Sequence, residues 1–390
     1  MSIPPALPFP DSAAAPRRIA LLGATGSVGQ STLRVLRRQR GDFCLAAISA
    51  RHNRSLAESI VREFSVPVLS LAGDGATPSP EELAAGDGID LVVLALPGLA
   101  ALRPLLAAIG ADKTIALASK EVVVAAGAII GRALRRNPAA RILPLDSEHC
   151  GVFQCLGAPR EGAFHPNPSV KKIWLTASGG PFLHLAGEKF SQVTVAQALR
   201  HPTWSMGQKV SIDAATLANK GLEEIEAAHL FQLPPDRIGV VVQPSSRVHA
   251  LVELRGGMAL AALHPPSMEF PLALCLNHPN PPPVECDGID FTVPDGWEFF
   301  PPDRERFPCL ALAEAALRAG GSSPCDFDAA NGEAVQAFLG GKISFDRIPL
   351  AIARTMEALD PEELPSAEAV EERQRRVRQL ALRQMAGGLP

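Results

Sequence analysis

Asp146 and Glu148 stand two residues apart in RILPLDSEHCGVFQCL, residues 141 to 156, just after a short apolar run. At the carboxyl end of a strand such a pair suits a hard divalent cation, Mg²⁺ or Mn²⁺, which takes oxygen ligands. The same residues also suit a helix start, with Asp146 or Ser147 as N-cap and Glu148 beside the positive end of the helix dipole. His149 next to them is either a further ligand or a structural histidine. A second concentration of polar groups is HPTWSMGQKVSIDAATLANKGLEEIEA, residues 201 to 227, which lacks the apolar stripe of an ordinary packing helix. Asn219, Lys220 and Glu223 fall within one helical turn and share a face. Asn219 and Lys220 are donors suited to a phosphate, and Glu223 offers a third metal carboxylate; a Lys–Glu surface pair is the plainer alternative. LTASGGPF, residues 175 to 182, opens a strand into a Ser-Gly-Gly turn. Its backbone amides and the Ser178 hydroxyl can hold a phosphate, or the glycines simply make a turn. Trp204 suits a lid that closes over a ligand, with core packing as the competing role.

These groups need a scaffold, and the first third of the chain supplies its pattern. RRIALLGATGSVGQSTLRVLRR reads as a buried strand over Ile19 to Leu22, a glycine-rich turn, and a helix from about Val28. Gly23, Gly26 and Gly29 give a relative of the dinucleotide fingerprint, in which a tight turn brings a pyrophosphate to free N–H groups at a helix start. The next strand, FCLAAI, is followed by SARHNRS, with Arg51, His52, Asn53 and Arg54 and no acid until Glu58. An acid there serves the ribose hydroxyls of NAD, whereas Arg suits a 2′-phosphate, so NADP(H) is the favoured cofactor. Strand-like runs at 90–96, 114–118 and 141–145 alternate with helical patterns, which predicts a doubly wound parallel sheet. Ser119, Lys120 and Glu121 follow one of these strands, on the edge where such sheets bind ligands.

The chain of 390 residues is 47% apolar and 20% charged, a globular composition too long for one ordinary core. The net charge of −4 offers no broad basic field for nucleic acid or anionic membrane, and the basic cluster at Arg34, Arg37, Arg38 and Arg40 reads as a solvated helix face. The most apolar stretch, from Leu91, is broken by Pro97 and Gly98 and is too short to span a bilayer. Seven cysteines without a CxxC pair argue against a disulfide framework or zinc knuckle and for a reducing, cytoplasmic setting. The expected organisation is a disordered leader over 1–16, a Rossmann-like domain over 17–146, and an α+β catalytic domain over 147–276 with a lid at about 180–209. A proline-rich linker over 277–306 and a small helical domain over 307–390 follow.

DSEHCGVFQCL, TASGGPF, the 201–227 stretch, PCLALAEAALRAG and DAANGEAVQAFL, in this order from about Arg18 to about residue 350, resemble the 1-deoxy-D-xylulose 5-phosphate reductoisomerase family. The resemblance implies a homodimeric, NADPH- and divalent-metal-dependent oxidoreductase that acts on a small phosphorylated sugar. Rearrangement by retroaldol cleavage and recombination, then reduction, gives 2-C-methyl-D-erythritol 4-phosphate for non-mevalonate isoprenoid synthesis. By position, Asp146, Glu148 and Glu223 match the metal ligands, and Ser147, Ser178, His201, Asn219 and Lys220 match substrate contacts, with Trp204 and Met206 in the lid. His201 and Lys220 count with the three carboxylates as the catalytic set. Thr25, Gly26, Ser27, Val28, Asn53, Lys120, Glu121 and Gly207 match cofactor contacts. Arg51 and His52 replace the more usual Gly-Lys, and Ser119 replaces Asn. Ala214 replaces a phosphate-binding Ser, Gln243, Ser245, Arg247 and Ala250 replace His, Gln, an aliphatic residue and Ser, and Glu269 after Met268 replaces Arg. These departures bear on substrate affinity more than on fold.

Two rivals use the same features. Semialdehyde dehydrogenases share the glycine spacing but need a nucleophilic cysteine, and neither Cys150 nor Cys155 has that sequence context. A paralogue that binds NADPH or a phosphorylated ligand as a sensor would explain Ala214, Gln243 and Glu269.

Overall fold

The computed structural model describes residues 15–71, 78–204, 206–282, 288–293 and 296–387. Residues 1–14 of the expected leader, and 283–287 and 294–295 of the expected linker, lie outside them. The first part of the chain runs β1 (Arg17–Leu22), α1 (Ser27–Arg38), β2 (Phe43–Ala50), α2 (Arg54–Phe64), β3 (Val68–Leu71), α3 (Pro80–Ala85), β4 (Leu91–Leu94), α4 (Leu102–Gly110), β5 (Thr114–Leu117), α5 (Lys120–Arg136) and β6 (Arg141–Pro144). Then come α6 (Ser147–Cys155), β7 (Val170–Ala177), α7 (Val195–Ala198), α8 (Gln208–Ala215), α9 (Ala218–Leu230), β8 (Ile238–Val242), β9 (Val248–Leu254), β10 (Ala259–Leu263) and α10 (Glu269–Asn277). The chain ends in α11 (Pro308–Ala319), α12 (Ser323–Leu339), α13 (Ile348–Glu357) and α14 (Ala367–Ala386).

The first six strands form one parallel sheet in the order β3-β2-β1-β4-β5-β6. This is the doubly wound order, and its reversal between β1 and β4 is where such folds bind ligands. β4 and the last four residues of β1 are wholly buried, as central parallel strands covered on both faces must be. Gly23 holds φ at +91°, where a Cβ would overlap the Ala95 carbonyl. A Cβ on Gly29 would overlap the Gly23 carbonyl, so these two glycines let β1, α1 and the chain after β4 meet. Gly26 has only ordinary neighbours and sits exposed at the start of α1.

The second sheet has the order β10-β9-β7-β8, with β7 and β8 parallel and the other pairs antiparallel. α9 explains the missing apolar stripe of its sequence. Lys220, Glu223, Glu224 and Glu226 are only 1–4% exposed, because the helix is enclosed on almost every side. At Gly221 a Cβ would collide with that of Ala313 on α11, so the two helices touch at their backbones. Much of the expected lid is packed rather than free: Phe182 and Phe190 contact Phe345 with ring centroids at 5.1 and 5.5 Å, and Phe190 contacts Phe307 at 5.4 Å. Only its last residues, from His201, reach the cleft described below.

The basic cluster is paired. Arg34 and Arg38 each lie 2.8 Å from Glu269 at the start of α10, and Arg37 and Arg40 reach Glu63 on α2. Among the described residues no helix is long and apolar enough to cross a membrane.

Candidate active site

A cleft lies between the carboxyl ends of the first sheet's strands and the carboxyl end of β7 in the second sheet. Asp146 precedes α6, Glu148 lies in its first turn, and Glu223 projects from α9; one carboxylate oxygen from each lies within 4.8 Å of the others. The N-cap alternative fails for Asp146, which stands at that position but makes no side-chain cap bond. Two lysines join the acids. Lys120 Nζ contacts Asp146 and lies 2.8 Å from Glu223 and 3.0 Å from Asn219 Oδ1. Lys220 Nζ lies 2.6 Å from Glu148 and contacts Glu223, which also accepts from the Asn219 amide. Burial opposes both ammonium charges, but Asp146 and Glu223 hold Lys120 well above the usual lysine range, and Glu148 and Glu223 raise Lys220. For Glu148 burial and Glu223 push upward, yet Lys220 and His249 bring the carboxyl below its ordinary value.

His149 does not line the cleft, but with Asp146 and Glu226 it forms a second group of possible ligands whose atoms lie within 4.8 Å of one another. It is fully buried, and its Nε2 lies 2.9 Å from the Glu223 carbonyl, which only accepts, so Nε2 donates. Its Nδ1 lies 3.5 Å from Glu226, whose carboxyl burial pushes up to about 7.

The opposite wall carries Ser178 and His201. His201 Nδ1 accepts the Trp204 N–H at 2.9 Å and the Thr203 N–H at 3.3 Å, so the proton of the neutral ring sits on Nε2 and is donated to Ser178 Oγ at 3.0 Å. Burial, with Lys220 acting the same way, pushes His201 down to about 4 and keeps it neutral. Ser178 Oγ also accepts the Gly180 N–H at 3.1 Å, which leaves its own O–H to donate to a ligand. Trp204 and Met206 line the same cleft.

At the nucleotide end Ser27, Val28 and Ser31 of α1 line the cleft, as do Lys120 and Gly207. Other residues matched to the cofactor lie elsewhere. Thr25 and Gly26 stand in the turn before α1, and Arg51, His52 and Asn53 are exposed beyond β2, where Asn53 caps α2 through Leu56 N at 3.1 Å. Ser119 donates to the Leu96 carbonyl at 2.5 Å, and Glu121 lies 3.6 Å from Lys209. Ser147 donates to Glu148 at 2.6 Å.

Family models described as 1-deoxy-D-xylulose 5-phosphate reductoisomerase match residues 19–84 and 75–127, and models of its C-terminal domains match 142–231 and 263–380. A 1-deoxy-D-xylulose 5-phosphate reductoisomerase from Geobacter metallireducens is 43% identical over 372 residues, covering 91% of this chain and 95% of its own. The chain belongs to the 1-deoxy-D-xylulose 5-phosphate reductoisomerase family. A Chlorobium chlorochromatii member is 42% identical over 360 residues, covering 88% of this chain and 92% of its own. Among solved structures, a DOX-P reductoisomerase in complex with NADPH, fosmidomycin and magnesium superposes with a TM-score of 0.88 at 34% identity, covering 95% of this chain and 98% of that one. The Zymomonas mobilis reductoisomerase in complex with NADPH gives 0.83 at 35% identity, covering 95% and 99%.

Within this reductoisomerase the departures separate cleanly. Ala214 alone lines the cleft. Gln243 is buried and closes its own turn, donating to Ser245 Oγ at 2.8 Å and accepting the Arg247 N–H at 3.1 Å. Arg247 is exposed, and Ala250 packs beneath α6, where a Cβ on Gly151 would be 3.4 Å from its own. Glu269 does not line the cleft and is bound by Arg34 and Arg38 of α1. The structure also adds residues that pattern reading did not single out for the site. Ser246, His249 and Met268 line the cleft from the second sheet and the start of α10. Ser246 and His249 stand in sequence between residues that depart from the family pattern, whereas Met268 keeps the family's residue.

Proposed function

We propose that the cleft rearranges 1-deoxy-D-xylulose 5-phosphate and reduces the resulting aldehyde to 2-C-methyl-D-erythritol 4-phosphate, with NADPH and one divalent cation, in non-mevalonate isoprenoid synthesis. The observation that carries this reading is the meeting of Asp146, Glu148 and Glu223 in a cleft shared with the start of α1 and with Ser178, Asn219 and Lys220. Three carboxylates without a thiolate fit Mg²⁺ or Mn²⁺, and these three residues would hold it. When bound, the cation supplies Lewis-acid polarisation of the substrate carbonyl, and NADPH supplies the hydride.

The chain's own residues bind, orient and enclose. Ser178 donates its free O–H to the substrate phosphate, together with Asn219 and Lys220 from α9. The raised Lys120 and Lys220 remain protonated at neutral pH, so they stabilise developing negative charge rather than act as bases. Trp204 and Met206 exclude water above the reacting atoms. Rearrangement leaves the oxidation state unchanged, and reduction consumes one hydride and one proton. The exposed start of α1 receives the cofactor pyrophosphate, and Arg51 and Arg54 face its 2′-phosphate.

A charge-assisted hydrogen bond is worth ~1.5–3 kcal/mol. NADPH should therefore exceed NADH in kcat/KM by at least about 10- to 100-fold. Initial rates with both cofactors check this, and equal values would remove Arg51 and Arg54 from the cofactor site.

Residues 17–146 serve the nucleotide and end on the metal carboxylate Asp146, 147–276 serve the substrate and supply the other two carboxylates, and 307–390 form the helical domain after the 277–306 linker. A homodimer is supported by the second sheet, whose face opposite α6 carries Trp174, Leu251 and exposed Ala259 and Ala261, close to exposed Phe299 and Phe300. Sedimentation should give twice the chain mass, and a lone chain at micromolar concentration would contradict it. A cytoplasmic location is supported by the six described cysteines, all free.

A further inference from the structure

His249 enters the cleft from β9, and its ring is held by two others, one of them backed by a third. The His264 ring stacks on it with centroids 3.6 Å apart and planes at 15°. Phe270 stacks on His264 in turn, at 4.8 Å and 23°, and Trp204 meets His249 edge-on at 6.1 Å and 76°. His249 Nε2 lies 3.0 Å from the His264 carbonyl. A carbonyl only accepts, so Nε2 carries the hydrogen and Nδ1 is the ring nitrogen left for a ligand. His264 donates from its own Nδ1 to the Pro265 carbonyl at 2.7 Å, and burial pushes it down to about 4, so the stack does not set two cations together.

Backbone geometry delivers this contact. The register between β9 and β10 shifts between Ala262 and Leu263, and Leu263 pairs with Val248. His264 N–H then donates to the Arg247 carbonyl at 3.1 Å, which brings the His264 ring against His249. Such an irregularity re-aims the side chain that follows it. His249 and His264 are 2% and 8% exposed, so neither ring has room to turn without displacing the other.

We propose that His264 is a positioning residue for the reaction, clamping the His249 ring so that Nδ1 is presented to the substrate in one orientation. His264 itself touches no ligand and acts through His249. The proposal rests on the reading of the cleft as a reductoisomerase site.

The test is a double-mutant cycle on the full-length enzyme with 1-deoxy-D-xylulose 5-phosphate, NADPH and Mg²⁺. His264→Ala should lower kcat/KM by about 5- to 10-fold, the scale of one lost aromatic pair. His264→Phe, which keeps a flat ring, should stay within about twofold of the parent. In a His249→Ala background the same His264→Ala change should add less than about twofold, since the two act as one unit. Equal losses in both backgrounds, or parental kinetics for His264→Ala beside an impaired His249→Ala, would overturn the proposal. Should His264→Ala not fold, His264→Leu fills the space without a stacking ring and takes its place in the cycle. Parental kinetics for His249→Ala would overturn it as well. Failure of the underlying reading looks different: the parent enzyme would not turn over.

Discussion

Replacing Glu223 by Gln should lower kcat by about a thousandfold or more and raise the Mg²⁺ concentration needed for half-maximal activity. Glu223 is 1% exposed and is the acid on which Lys120, Lys220 and Asn219 all converge. Gln keeps the shape but removes the charge, so three carboxylates against two ammonium groups become two against two. A site with no net negative charge among these groups binds a dication far less well. Transition-state stabilisation by preorganised charge is worth about 10²–10³ per group, and here the loss also reaches the metal. Removing one partner from a buried ion pair can itself destabilise by ~3–5 kcal/mol. Thermal unfolding of Glu223→Gln with and without Mg²⁺ separates the two effects. A folded variant with normal turnover and unaltered Mg²⁺ dependence would take Glu223 out of the metal site.

Ala214→Ser should lower KM for the phosphorylated substrate by about 10- to 100-fold and leave kcat within a few-fold. Ala214 faces the cleft beside Ser178, Asn219 and Lys220, and a hydroxyl there adds a hydrogen bond to a charged phosphate. The backbone already brings this position beside the Ser-Gly-Gly turn that carries Ser178. The Ala214 carbonyl lies where a Cβ on Gly180 would be 2.7 Å away, and Gly180 holds φ at +68°. Because the phosphate is bound equally before and during the chemistry, the gain should appear in KM rather than kcat. Steady-state kinetics of the two proteins decide it, and an unchanged KM would show a phosphate pocket rebuilt around alanine.

How legible the site was depended on how local its signals are. The parallel sheet and its glycine turn came from apolar runs and glycine spacing, which are short-range patterns. The carboxylates were legible because Asp146 and Glu148 follow a strand, and because Asn219, Lys220 and Glu223 share one turn of α9. Their meeting is a long-range fact, which the sequence supports only through family resemblance. Ser246, His249 and Met268 carry no chemical pattern of their own in the sequence, because they come from a connection, a strand and a helix start. Gln243 and Glu269 looked like pocket changes in sequence. In three dimensions Gln243 closes its own turn, and Glu269 answers Arg34 and Arg38 on a distant helix. The ion pairs of Arg34, Arg37, Arg38 and Arg40 were invisible for the same reason, since Glu63 and Glu269 are remote in the chain.

The proposed reaction couples rearrangement to NADPH-dependent reduction through one carboxylate-bound cation. The most direct measurement follows NADPH absorbance with 1-deoxy-D-xylulose 5-phosphate and Mg²⁺ while product is quantified. The account predicts one 2-C-methyl-D-erythritol 4-phosphate formed per NADPH oxidised, abolished by EDTA and restored by Mg²⁺ or Mn²⁺. NADPH that binds without being oxidised, or oxidation that continues at full rate in EDTA, would contradict it.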